Sequence, residues 1–202
     1  LTGNPIREDI CLMDKAEAKQ LYHFDSDKPV LAILGGSQGS VPFNRHFQKH
    51  LEQYIESNIQ ILWQCGKKDF SELKNLNRYQ NVHIIPFTEN IDVFYSAADL
   101  IVSRSGALAL SEMALLGKAM VLIPLPRSAG DHQVTNAQAF SKTGGAVLVH
   151  QTSLASGALE KTVLELIQDT QKIARMEANS KKRGIPNATE EITTIIMQIA
   201  EG

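Results

Sequence analysis

Residues 100–126 read LIVSRSGALALSEMALLGKAMVLIPLP, and this stretch decides the fold. LIV is an apolar run that suits a buried strand. SRSG interrupts it with small polar residues and a glycine. ALALSEMALLGK then has the composition of a helix and stops at Gly117. MVLIPLP is a second apolar strand, closed by Pro124 and Pro126. Strand, helix and strand in that order make a parallel crossover, and open parallel sheets bind ligands at the carboxyl ends of their strands. Ser103, Arg104, Ser105 and Glu112 fall at that end.

The same grammar extends in both directions. Upstream, VLAIL (30–34) is an unbroken apolar run bounded by Pro29 and Gly35, the mark of a buried parallel strand. IQILWQC (59–65) and VHIIPF (82–87) are two more strands. Between the first two, Val41, Phe43, Phe47, Leu51, Tyr54 and Ile55 recur near helical spacing. Short helices are expected over 69–76 and 91–98. Downstream, a helix over 130–143 is stopped by Gly144 and Gly145, AVLVH (146–150) is a sixth strand, and helices follow over 155–168, 170–182 and 188–200, the last capped by Asn187. Six strands alternating with helices predict an α/β fold with a doubly wound, mostly parallel, Rossmann-like sheet. Ahead of it, residues 1–28 read as a linker with one edge helix over 14–22, capped by Asp14. Residues 29–202 read as the ligand-binding domain with its closing helices.

Composition narrows the function. Hydrophobic residues make up 43% and charged residues 21%, normal for a globular chain, and no apolar run approaches the roughly 20 residues needed to cross a bilayer. A net charge of −2 argues against a non-specific nucleic-acid binder. Cys11 and Cys65 are too few for a disulfide framework or a zinc site, and the six histidines show no metal spacing, so no metal and no cofactor are expected. A reducing, cytoplasmic setting is the simplest reading. The chain opens on Leu rather than Met, which fits a piece of something longer.

The loop Gly35-Gly36-Ser37-Gln38-Gly39-Ser40 follows the first strand and opens a helix. Glycines admit a ligand close to the backbone, and the helix start offers free amides and a positive dipole end, so the loop suits a diphosphate; equally, it is a tight strand–helix turn. It is not a Walker loop, which needs a Lys before Ser or Thr, nor a dinucleotide fingerprint, which needs glycine at Leu34 and an acid near Trp63-Gln64-Cys65. Glu112 can accept hydrogen bonds from both hydroxyls of a ribose, or be an exposed helix charge. Arg104 can neutralise phosphate or pair with an acid. Asp131 suits a helix cap. Gln133 has the donor and acceptor that sugar hydroxyls need, and His132 is a base only if something orients it. Asp25-Ser26-Asp27 imitates a metal-binding DxD but precedes the first strand, at the wrong edge of the sheet, and reads as a solvated turn.

TGNPIR, ILGGSQGS, PFTENIDVFYSAADLIVSRSGALALSE, LGKAMVLIPLP and AGDHQVTNA occur in this order between residues 1 and about 145. Together they resemble the C-terminal half of the MurG family, the bacterial peptidoglycan enzymes that add N-acetylglucosamine to lipid I. The resemblance implies the donor-binding half of a two-domain GT-B transferase that makes lipid II from UDP-N-acetylglucosamine with inversion, serving cell-wall synthesis, shape and division. It puts Arg7 at the hinge side of the nucleotide, Ser37 at the diphosphate, and the Thr88 backbone at the uracil. Ala107, Leu108 and the main chain as far as Ser111 would run under the nucleotide, with Glu112 on the ribose and Gln133 on the sugar. Gly36, Gln38, Arg104 and His132 are secondary candidates. Many members carry an aliphatic residue where this chain has Thr88, a change backbone recognition tolerates. The general base, the lipid I contact and most of the membrane contact would belong to the N-terminal half, so this fragment would be inactive alone. The implied location is peripheral, on the cytoplasmic face of the cell membrane. A UDP-N-acetylglucosamine epimerase of the same architecture, or a non-catalytic nucleotide-binding module, are the alternatives.

Overall fold

Apolar runs of four or five residues without alternation, bounded by proline and glycine, suit strands buried on both faces. The computed structural model, which describes residues 2–201 except Glu8, Ser37 and Arg127, builds its central sheet from them. Strands β1 (Val30–Leu34), β2 (Gln60–Gln64), β4 (Leu100–Ser103) and β5 (Met120–Leu122) are buried at every residue, whereas the edge strands β3 (Val82–Ile85) and β6 (Ala146–Leu148) are only partly covered. All pairs are parallel and the order is β3-β2-β1-β4-β5-β6. The chain therefore reverses its direction of growth between β1 and β4, and a crevice opens there beyond the strand ends.

Helices cover both faces. On one side α2 (Val41–Glu56), α3 (Phe70–Leu73), α7 (Ala158–Ile167) and α8 (Thr170–Lys181) bury Phe43, Phe47, Trp63, Val163 and Met176 with alternate strand residues such as Leu31 and Ile33. On the other, α1 (Lys15–Leu21), α4 (Ile91–Ala97), α5 (Ala107–Leu115) and α6 (His132–Lys142) pack around Ala32, Phe94, Tyr95, Met113 and Met120. The last helix, α9 (Ala188–Glu201), lies on the surface with Ile196 and Ile199 exposed.

Element order follows the sequence expectation, with local differences, among them the helix expected over 69–76, which is α3 followed by a 3-10 turn over Lys74–Arg78. The helix expected from residue 130 starts at His132, because Gly130 and Asp131 both adopt left-handed backbone (φ 56° and 51°) and bend the chain first. Asp131 does occupy the capping position, but its carboxylate makes no cap bond. The helix expected over 155–168 is a 3-10 turn, Gln151–Ser156, followed by α7, divided at Gly157 with φ 76°. Asp14 caps α1 as expected, accepting from the Glu17 amide at 3.0 Å. The leading segment does not hang free: α1 packs on α4, Thr189 Oγ1 donates to the Ile6 carbonyl, and Asn4 donates to Ser111 Oγ. Asp25-Ser26-Asp27 is a turn in which the Asp27 amide donates to Asp25 Oδ1, and it is tied to Gln60 at the amino end of β2, the edge expected for it.

The opposite rim of the sheet is closed by buried charge. Asp99 accepts from Lys15 and from the Val30 amide, and Lys118 Nζ donates to the Ala98 carbonyl at 2.7 Å. Burial pulls the Lys118 pKa from 10.5 down to about 8. Between those values the unfolded chain holds a proton that the folded chain has released, so this group's contribution to stability rises with pH across the interval. Wild type should therefore gain stability relative to Lys118→Met as pH rises from 7 to 10. Urea unfolding at both pH values checks it, and a constant difference would refute the assignment.

Candidate functional site

The crevice at the switch point is built from three loop–helix junctions. The first is the glycine loop between β1 and α2. Gly39 has φ 74°, and a Cβ there would stand 2.3 Å from the Cys65 carbonyl oxygen, because Gly39 and Gly66 cross backbone to backbone. Gly36 is different: its φ of 83° also demands glycine, but the space above it is open. One glycine serves packing and the other leaves room for a ligand, so the two readings of the loop apply to different residues. Ser37 lies outside the described residues. Asn44 anchors the helix behind the loop, donating to the Cys65 carbonyl and to Asp69 and accepting from Trp63 Nε1.

The second junction is Ser103–Gly106, between β4 and α5. Ser103 and Ser105 are buried and already engaged, Ser103 Oγ with the Arg104 carbonyl and Ser105 Oγ with the Gln133 carbonyl, which corrects their reading as ligand-facing groups. Gly106 precedes α5 with no side-chain cap, so the first amides of that helix are unclaimed by a cap. Its φ is negative and a Cβ would meet nothing within 4 Å.

Arg104 is the centre of the crevice. Neither of the roles expected for it, phosphate clamp or partner of an acid, matches its geometry fully. Nη1 donates to the carbonyls of Ile123 and Pro124 (3.0 and 3.2 Å), and Nη2 to Ser40 Oγ and Gln151 Oε1 (2.9 and 2.7 Å). The guanidinium also lies 4.4 Å over the Phe43 ring. Every partner is neutral, and among the described residues no acid forms an ion pair with it. The terminal nitrogens are fully engaged, so Arg104 cannot grip a phosphate with both prongs; it fixes three loops and leaves a positive charge without a counter-ion. Burial alone lowers its pKa to about 10, so it stays charged at neutral pH.

Around it lies a cleft of about 560 Å³ lined by Gly36, Gln38, Ser40, Arg104, Gln133 and Gln151, among others. Gln133 comes from the third junction, the start of α6. Its Oε1 accepts from the Leu125 amide at 3.0 Å, which leaves its NH2 group as the available donor. His132 is exposed at the same helix start and gains no orienting partner among the described residues.

The remaining expected residues form a second group beside the cleft. Glu112 Oε2 accepts from the Tyr95 hydroxyl at 3.0 Å, and Arg7 is close enough to influence Tyr95 electrostatically. Burial, and then the Glu112 charge, raise the Tyr95 pKa, so Tyr95 remains a donor that orients the carboxylate. Thr88 does not offer a free amide: its N–H donates to Gln64 Oε1 at 3.1 Å. Leu108 stands 57% exposed on the first turn of α5. Ala107 lines a neighbouring hollow of about 330 Å³ with Asn4, Ser111 and Asn136.

Three residues were missed by sequence reasoning. Gln64, 2% exposed, sits where dinucleotide folds carry an acid; its NH2 donates to the Gly36 carbonyl at 3.1 Å while its oxygen holds Thr88, so one side chain ties the two loops together. Gln151 and Tyr95 act likewise on Arg104 and Glu112. No local signal marks any of them. The fourth omission had a signal. His46 and His50 stand one turn apart on α2 and both meet Glu160 of α7, which corrects the expectation that the histidines lack metal spacing.

A sheet of this order with its cleft at the switch point is the C-terminal type of GT-B domain. The chain belongs to the glycosyltransferase family 28 C-terminal domain, whose model matches residues 30–192. It is 39% identical over 204 residues to the UDP-N-acetylglucosamine--N-acetylmuramyl-(pentapeptide) pyrophosphoryl-undecaprenol N-acetylglucosamine transferase of Flavobacterium psychrophilum, covering 100% of this chain and 55% of that one. The transferase of the same name from Parabacteroides distasonis is 33% identical over 206 residues, with 100% and 56% covered. Among solved structures, Acinetobacter baumannii MurG superposes with a TM-score of 0.73 at 27% identity, over 94% of this chain and 54% of that one. A Neisseria meningitidis UDP-GlcNAc 2-epimerase bound to UDP-GlcNAc shares the fold, with a TM-score of 0.59 at 18% identity over 90% and 48%. The chain thus spans about half the length of the relatives it matches.

Proposed function

We propose that this chain is the donor-binding domain of an inverting transferase that moves N-acetylglucosamine from UDP-N-acetylglucosamine to lipid I, forming lipid II. The single observation that carries the reading is Arg104: a half-buried guanidinium held by neutral acceptors, beneath a glycine loop and beside an uncapped helix start. Such a place calls for an anion, and a diphosphate supplies it. The relatives' names supply the rest of the donor.

In the transfer, the acceptor hydroxyl attacks the anomeric carbon, the bond to UDP breaks, and negative charge grows on the departing diphosphate. Arg104 and the amides of α2 and α5 stabilise that charge, and because they are already held in place they need little reorganisation. Glu112, pre-oriented by Tyr95, takes the ribose hydroxyls. The Thr88 carbonyl is the backbone group left for the uracil, since its amide is engaged, and Gln133 turns its NH2 group to the sugar. Ser37 belongs at the diphosphate, and Arg7 closes the hinge side. Residues 1–28 serve as the link to a further half, which brings the base that deprotonates the acceptor, the lipid I contact and the attachment to the cytoplasmic membrane surface. The exposed apolar residues of α9 suit a contact with that half. No helix among the described residues is long and apolar enough to cross a membrane.

The epimerase reading rests on shared fold alone, whereas the relatives above 30% identity carry transferase names. Calorimetric titration with UDP-N-acetylglucosamine tests donor binding. Glu112→Gln, which halves the carboxylate's acceptor capacity and removes its charge, should weaken binding by roughly 10-fold or more. Unchanged affinity for UDP-N-acetylglucosamine in that variant would remove Glu112 from the ribose.

A further inference from the structure

On the α2–α7 side of the sheet, His46 Nε2 lies 2.9 Å and His50 Nδ1 3.1 Å from the same oxygen, Glu160 Oε1. Glu160 is only 3% exposed. Close as they are, these approaches lack hydrogen-bond geometry: His46 Nε2 and both Glu160 oxygens are buried with no hydrogen-bond partner. The Tyr54 hydroxyl, one turn beyond His50 on α2, is in the same condition and within electrostatic reach of Glu160. Four of the five such atoms among the described residues therefore belong to this one cluster. A buried carboxylate needs a positive partner.

We propose that His46, His50 and Glu160 form a binding site for one divalent transition-metal ion, with zinc as its probe, joining α2 to α7. Two imidazoles and a carboxylate suit zinc, and the i, i+4 placement of two histidines on one helix face presents both to one ion. All three donor atoms lie within 4.8 Å of one another. Tetrahedral zinc at its usual bond lengths sets donors about 3.3 Å apart, so each histidine–Glu160 approach needs to lengthen by only tenths of an ångström, while the two imidazole nitrogens, within 4.8 Å of each other, draw together by at most about 1.5 Å. His50 is partly exposed, which gives the ion an entry path and a place for water as fourth ligand. The ion braces the helix that carries the glycine loop at its start, and it stands apart from the cleft around Arg104.

The test is zinc added to chelator-stripped protein, followed by competition with a chromophoric chelator and by thermal melting. One equivalent should bind, and at about 100-fold excess over Kd the melting temperature should rise by roughly 5 °C or more. His50→Gln, at a partly exposed position, should fold normally and weaken zinc binding by at least roughly tenfold; Glu160→Gln should do the same. Cobalt in place of zinc should give the visible absorption of a four-coordinate ion. Absence of stoichiometric binding by the wild type, or equal binding by His50→Gln, would overturn the site.

Discussion

Arg104→Leu should lower the affinity for UDP-N-acetylglucosamine by roughly 100-fold, equivalent to about 2.8 kcal/mol. The size follows from what is removed: a full charge in a half-buried cleft, and the fork that holds Ser40, the end of β5 and Gln151 in register. Arg104→Lys separates the two contributions. It keeps the charge but cannot span four acceptors, so its affinity should fall between wild type and Arg104→Leu. Calorimetry with UDP and with uridine sharpens the test, because uridine lacks the diphosphate and its binding should change far less. If UDP bound Arg104→Leu as tightly as wild type, the anion reading of the cleft would fail, whatever happened to the melting temperature.

Gly39→Ala should be the most destabilising single methyl in the loop, at about 3 kcal/mol or more. Left-handed backbone costs an L-residue about 1–2 kcal/mol, and a Cβ 2.3 Å from the Cys65 oxygen adds an overpacking cost of about 1–3 kcal/mol. For a chain of this size that is a melting temperature lower by roughly 10 °C. Gly36→Ala meets the conformational cost alone. Gly106→Ala meets neither, since its φ is negative and the space around it is open. It should melt like wild type and yet bind donor more weakly, because the added methyl would stand where the diphosphate approaches the first turn of α5. Equal melting temperatures for Gly39→Ala and Gly106→Ala would show that the crossing of Gly39 over Gly66 is not as close as described.

How much of this was legible in the residues depends on the range of the interaction. Short runs such as VLAIL and LIV mark strands because their length and their flanking proline, glycine and small polar residues favour a strand covered on both faces over a helix. Glycine and proline mark the breaks between them. The parallel order follows from alternation of strands and helices, and with it an expected site at the carboxyl rim that includes Gly36, Gln38, Arg104 and Gln133. These four share a cleft, while Ala107 lines a separate hollow and Glu112 and Thr88 stand outside both linings. Where reasoning from residues went astray, the cause was a partner far away in the chain. Ser103 and Ser105 look like ligand groups until Gln133 and the Arg104 backbone claim them. The histidine pair on α2 has no evident purpose until α7 sets a buried carboxylate against it.

The sequence by itself determined the class of fold and which rim of the sheet carries the glycine loop and Arg104, because these rest on local pattern and on rules of chain connection. Tertiary structure alone decided which hydrogen-bonding groups remain available there, that Arg104 has neutral partners, and which histidines share an acid. A polar group has few bonds to give, and only the packed neighbours determine which of them are already taken.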